Sequence, residues 1–394
     1  MYGKMIEQLE TEYPHMVEWR RHFHENPELS FEEVETPKKI AAFLRDLGID
    51  DIKEGVGGRG ITAKIHGSLP GKTIALRADF DALPIPDAKD VPYKSKVEGV
   101  SHACGHDAHT STLLHTAKVL YNNREHLHGT IVLIHQFAEE QTPGGAKPMI
   151  EAGCLESVDE VYGTHLWSMF PVGSVFTKSG PLMAASDRFS ITIDGKGGHG
   201  ALPHQTIDPI LCGSAIVQNL QQVVSRNVDP LQSAVLSLGA FESGGPFNVI
   251  PANAQILGTA RTFSRDVQVT VKKRMAEIVE HTGKTYGARC TLNYEEGYPA
   301  LYNHEKETTH VQRAAEELFG HEHSQEMDPM MGGEDFAYYL LDKPGAFFFT
   351  GAGHSEAYPH HHPHFDIEES AMLQASKTFI KVIQLSNEGE VADG

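Results

Sequence analysis

Ile131, Val132, Leu133 and Ile134 form an unbroken aliphatic run. A strand with one wet face alternates apolar and polar residues. A strand without alternation is buried on both faces, and such strands belong to parallel sheets covered by helices. Strand-like stretches also occur at 73–78, 161–166 and 346–350. Helical periodicity lies between them. Residues 33–47 place Ile40, Phe43 and Leu47 on one face, and the segment after Asp107 repeats Leu113, Ala117 and Leu120. This alternation predicts an α/β fold with a largely parallel sheet and helices on both sides.

The middle of the chain follows another plan. Residues 188–194 alternate through Phe189, Ile191 and Ile193, as a strand with one buried face does. Asp208 and Pro209 read as the cap and first turn of a helix whose stripe includes Val217, Leu220 and Val224. Strands are expected at 234–241 and 254–262. A helix follows near 266–281, with Val271, Met275 and Ile278 on one face and Gly283 as its stop, and a last strand at 290–294. The order β-α-β-β-α-β is ferredoxin-like. The expected domains are therefore a discontinuous larger one, 1–185 with 297–394, and an inserted α+β domain at 186–296. The tail after Ser386 is polar and reads as loose.

A chain of 394 residues suits two or three domains. The formal charge of −20 argues against nucleic acid and anionic membranes as partners. Cys104, Cys154, Cys212 and Cys290 are scattered, so a disulfide framework is not expected and a reducing cytoplasm fits. The first dozen residues are polar and show no apolar signal region, and no apolar run reaches the roughly 20 residues of a membrane helix.

Residues 102–109 read His-Ala-Cys-Gly-His-Asp-Ala-His, a density of metal-binding side chains that packing does not explain. More candidates follow at wide intervals: Glu139 and Glu140, then His165, then His360, His361, His362 and His364. In an open α/β sheet, ligands bind beyond the carboxyl ends of the strands. Asp79 and Asp81 end one expected strand, the glutamate pair follows another, His165 ends a third, and the histidine cluster follows a fourth. A two-metal hydrolytic site needs anionic and imidazole ligands plus a base, and adjacent carboxylates can divide those duties. Taken alone, the glutamate pair reads equally as two solvated loop acids.

These motifs together resemble the M20 metallopeptidase family. The carriers are the 102–107 run, Ala138-Glu139-Glu140, His165, Gly332-Gly333-Glu334-Asp335-Phe336 and His361-His362-Pro363. The resemblance runs from Arg20 to the last helix. It is to the amidohydrolase branch that cleaves N-acyl amino acids: aminoacylases, hippurate hydrolases, auxin-conjugate hydrolases and N-acetyldiaminopimelate deacetylases. It implies a zinc-peptidase-like α/β catalytic domain with an inserted lid and dimerisation domain.

By this resemblance Cys104, His106, Glu140, His165 and His361 ligate two divalent metals. Cys104 stands where other branches use a bridging aspartate, and a thiolate there favours zinc, manganese, cobalt or nickel over magnesium. Glu139 would be the general base, and Asp79 would orient a ligand histidine from behind. His102 and His109 read as supporting or packing residues, His115 and His135 as non-catalytic, and His354 and His364 as surface. In the inserted domain, His199 follows Gly195-Lys196-Gly197-Gly198. The family's matching histidine reaches the active site across a dimer and stabilises the oxyanion. Asn248 and Arg261 would contact the substrate carboxylate, although a structural ion pair also explains Arg261. Glu334 reads as either a substrate contact or a loop support.

The function implied is metal-dependent hydrolysis of an N-acyl amino acid by a cytoplasmic homodimer or higher oligomer. The rivals are a dipeptidase or aminopeptidase of the same fold, and a metal-dependent binding protein without catalysis. The departures from the family pattern are Phe137, where proline commonly precedes Ala-Glu-Glu, and Ala108, where glycine is common.

Overall fold

The computed structural model describes residues 2–388. It forms two compact units. One takes the chain up to Gly180, then Tyr302–Asp328 and the chain from Asp335; the other takes Pro181–Leu301 and Pro329–Glu334.

The first unit is built on an eight-stranded sheet. Its order is Ile52–Val56, Gly60–His66, His128–Gln136, Leu69–Asp79, Glu160–Pro171, Gly345–Gly353, Val175–Thr177, Ser324–Glu326. The strands from His128–Gln136 through Gly345–Gly353 run parallel to their neighbours. Gly60–His66 and Val175–Thr177 flank them antiparallel. The 131–134 run lies in this parallel centre with all its side chains buried, as its lack of alternation requires. Helices His106–Asn122 and Ser370–Glu388 pack on the sheet and on each other, and both pack on Tyr2–Glu25. Leu113, Ala117 and Leu120 are fully buried along the first of these.

Two details differ from expectation. Helix Glu35–Asp46 buries Thr36, Ile40, Ala41 and Leu44, while Phe43 is half-buried against Trp19. The expected loose tail is helical as far as Glu388, and Asn387 is buried, accepting from the Lys72 amide at 3.0 Å. The rest of that tail, 389–394, lies outside the described residues.

The second unit has an antiparallel four-stranded sheet in the order Ala234–Glu242, Asn253–Thr262, Ala185–Asp194, Arg289–Tyr298. Helices Pro209–Gln222 and Arg265–Tyr286 bury Ile216, Leu220, Val271 and Met275 together with Phe189, Ile191 and Ile193. This is the ferredoxin-like arrangement. The unit exceeds 186–296 at both ends, running from Pro181 to Leu301. In addition, Ala184 donates to Met330 and Gly332 carbonyls, tying 329–334 to it. Gly283 does not stop its helix. A Cβ there would sit 2.8 Å from Cys290 Sγ, so the glycine permits close packing on the adjoining strand. The stop is Gly287, at φ 73°.

Candidate metal centre

Five chain segments of the first unit converge here, the fifth being the loop that carries His361. Leu69–Asp79 delivers Asp79 and then Asp81, and the turn after His128–Gln136 delivers Glu139 and Glu140. Helix His106–Asn122 starts at the centre, entered through Gly105 at φ 87°. That left-handed turn, easy for glycine, puts the Cys104 thiol and the His106 ring in one donor cluster. His165 lies within Glu160–Pro171 rather than at its end, because the strand continues alongside Gly351 and Gly353.

The donor atoms form overlapping clusters, each within 4.8 Å: Cys104, His106 and His165; Cys104, Glu140 and His361; and His106, Glu139 and Glu140. Cys104 Sγ is 3.4 Å from His165 Nε2, and Glu140 Oε1 is 3.3 Å from His361 Nε2 and 3.8 Å from His106 Nε2. His361 is half-exposed, and its backbone sits at φ 65° with its amide donating to Ala103 at 2.9 Å. Nearby, His360 bonds the Leu166 carbonyl and stacks on Trp167, while His362 and His364 lie against Tyr358.

The electrostatics favour a cation. Burial alone would lower the His106 pKa, but Asp79, Asp81 and Glu140 outweigh it and push it up to about 10. Burial, then Glu140 and Glu139, holds the Cys104 thiol well above its ordinary range. His106 Nε2 and Glu140 Oε1 are buried without a hydrogen-bond partner. Unpaired buried donors and acceptors are costly. A divalent ion would supply the missing partner and discharge the excess of anionic groups, so the donor set fits such ions.

The layer behind these donors differs from the expected one. Asp81 Oδ1 pairs with His106 Nδ1 at 2.9 Å, so Asp81 is the acid that orients this ring. Asp79 bonds His109 Nδ1 at 2.6 Å and Arg77 at 2.6 Å, and lies 3.7 Å from His106 Nε2. His109 Nε2 accepts the Leu166 amide at 3.0 Å, so its Nδ1 carries the proton given to Asp79. The buried Arg77 also reaches Asp335 at 2.9 Å and Gln136 at 2.9 Å. Sequence reading missed Arg77 and the role of Asp81. Their signal was the alternation Arg77, Asp79, Asp81, which points charged groups one way from a strand end. His102 is buried outside the donor clusters, His135 bonds Thr110, and His115 lies by Glu12.

Residues 75–385 match Peptidase family M20/M25/M40. The chain belongs to this family. The M20 chain is 54% identical to YhaA of Bacillus subtilis over 373 residues, covering 94% of each. It is 42% identical to N-acetyl-L-cysteine deacetylase of the same organism, over 98% of this chain and 92% of the relative. Its fold matches the crystal structure of Bacillus subtilis YXEP, described as a dinuclear metal-binding peptidase from the M20 family. That match has a TM-score of 0.83 at 36% identity, over 96% and 99% of the two chains.

The remaining expected site residues of the M20 chain lie in the second unit. His199 is exposed on the short strand Gly198–His199, which pairs with Val249–Ile250, and Gly200 donates to the Asn248 carbonyl at 2.8 Å. His199 and Asn248 are therefore neighbours. Half-buried Arg261 donates to Thr259 Oγ1 and to the Ala260 and Asp187 carbonyls. Among the described residues its guanidinium makes no ion pair within 4.0 Å, and Asp187 is the acid whose charge it feels. Among the same residues no helix is long and apolar enough to cross a membrane.

Proposed function

We propose that this M20 chain hydrolyses N-acyl amino acids, releasing a carboxylic acid and the free amino acid. One observation carries the reading: the donors of Cys104, His106, Glu140, His165 and His361 gather in overlapping clusters, with the buried Glu139 carboxylate among them. The relative named for N-acetyl-L-cysteine, itself an N-acyl amino acid, supports the substrate class.

These five residues would hold two divalent ions. Thiolate and imidazole donors suit zinc, cobalt or nickel, the Glu140 carboxylate admits manganese as well, and such ions polarise a carbonyl and acidify water. Glu139 takes the proton of the attacking water and returns it to the leaving amine nitrogen. Asp81 and Asp79 keep the rings of His106 and His109 in fixed tautomers. His199 Nδ1 accepts the Ala201 amide at 3.1 Å, which leaves Nε2–H to donate to the developing oxyanion. Arg261 and Asn248 hold the substrate carboxylate and so position the amide. The second unit serves as lid and dimerisation domain, and the enzyme works as a homo-oligomer in the cytoplasm, where a thiol ligand stays reduced.

The test is a panel of N-acyl amino acids and dipeptides, assayed with and without chelator. Acyl amino acids should be cleaved and chelation should stop it. Glu139→Gln should lower kcat by about a thousandfold with metal content unchanged. Cleavage of dipeptides alone would favour the peptidase reading. A metal-loaded protein inert to both classes would favour a binding protein.

A further inference from the structure

Glu139 and Glu140 sit on a turn whose backbone is held in an unusual form. Ala138, immediately before them, has φ 51°, in the left-handed region that non-glycine residues seldom occupy. Such a conformation persists where its surroundings enforce it. Two buried carboxylates flank the pair. Glu33 Oε1 accepts the Ala138 amide at 2.9 Å, and Asp81 Oδ2 accepts the Glu140 amide at 3.0 Å. The Ala138 carbonyl in turn accepts the Gly145 amide at 3.1 Å.

Asp81 also serves His106, but Glu33 belongs to none of the donor clusters. Its side chain is fully buried, its Oε2 has no hydrogen bond, and Arg59 Nε stands 3.8 Å away. A buried acid so incompletely paired is expensive, and packing alone would favour an apolar side chain there. Its Oε1 instead accepts from the strained residue beside Glu139.

We propose that Glu33 is a positioning residue, which locks Ala138 in its left-handed form and thereby aims Glu139. The proposal deepens the reading of Glu139 as the base and rests on it. Glu33 touches neither substrate nor ligands; it acts through the backbone. Burial first, and the Asp81 charge second, push its pKa up to about 8, and the carbonyl oxygen of glutamine can accept the Ala138 amide as Oε1 does.

The experiment compares Glu33→Ala and Glu33→Gln in the full-length, metal-loaded protein. It reads hydrogen exchange of the 138–140 amides, metal content, kcat and KM. In Glu33→Ala these amides should exchange at least about tenfold faster. The kcat should fall about ten- to a hundredfold with KM and metal content near those of the parent, since small misplacements of a reacting group cost that much. Glu33→Gln, which still accepts the Ala138 amide, should restore both readouts. Unchanged exchange in Glu33→Ala overturns the proposal whatever the activity. Faster exchange with unchanged kcat, where Glu139→Gln is inactive, overturns it while leaving Glu139 as the base. Full turnover by Glu139→Gln removes the base assignment instead, and the exchange arm still decides whether Glu33 holds the turn. Should Glu33→Ala not fold, Glu33→Met replaces it, similar in length but a poor hydrogen-bond acceptor. If both fail to fold while Glu33→Gln behaves as the parent, the role is structural only and the proposal falls.

Discussion

His106 shows how much of the centre depends on single atoms. Its Nδ1 is held by Asp81, which turns Nε2 toward Glu140 and Asp79, where a metal ion would displace its proton. An outer partner of this kind fixes the tautomer and raises ligand basicity, and its loss typically costs 10–100-fold in metal affinity. Asp81→Ala should therefore weaken metal binding by about 10–100-fold, as read by competition with a chromophoric chelator. Affinity within twofold of the parent would show that Asp81 does not set the ring. The sequence showed that acids stand at 79 and 81, but not which imidazole each one meets. That choice depends on how the chain turns after the strand and on where helix His106–Asn122 begins. By contrast, the convergence of Glu140 and His361 was legible, because the segments that follow the strands of a parallel sheet share one edge, while Cys104 was read from the family resemblance and the strand of His165 runs on past it.

Elements were legible where one local rule acted alone. Asp208 followed by Pro209 announced a helix start, and the Asp208 carboxylate does accept the Ile210 and Leu211 amides, at 2.8 and 3.2 Å. Those first amides have no partner within the helix. Asp208→Ala should then cost about 1 kcal/mol of stability, seen as a lower urea midpoint with an unchanged slope. A midpoint equal to that of the parent would mean that water caps the helix as well. Gly283 misled because two rules competed. Glycine ends helices by adopting positive φ, but it also lets a helix approach a neighbour closely. Only the strand carrying Cys290 decides between these, and it comes later in the chain and is adjacent only after folding. The same reason hid Glu33, whose partner Ala138 lies far along the chain.

At the scale of the whole molecule, buried histidines make folding sensitive to acid. His115 is almost fully buried beside Phe43, with Glu12 at 3.5 Å from Nδ1. Burial is the largest influence and lowers its pKa from 6.5 to about 4, despite the opposing pull of Glu12. The sign follows from proton counting. Between these values the unfolded chain binds a proton at His115 that the folded chain does not, so stability falls as pH drops from about 6.5 to about 4 and levels off below. Holding one proton off a site costs about 1.4 kcal/mol for each pH step below the unfolded pKa, so the loss by about pH 4.5 is roughly 2 kcal/mol. His115→Leu removes this titration, and Glu12 keeps Lys118 at 2.7 Å. The stability lost between about pH 7 and pH 4.5 should then be smaller in the variant than in the parent by roughly 2 kcal/mol. Urea unfolding of both proteins at both pH values gives that difference of differences, and the acid response of groups away from His115 and Glu12 cancels from it. An identical acid loss in variant and parent would mean that His115 is protonated inside the fold, with Glu12 as its counter-charge.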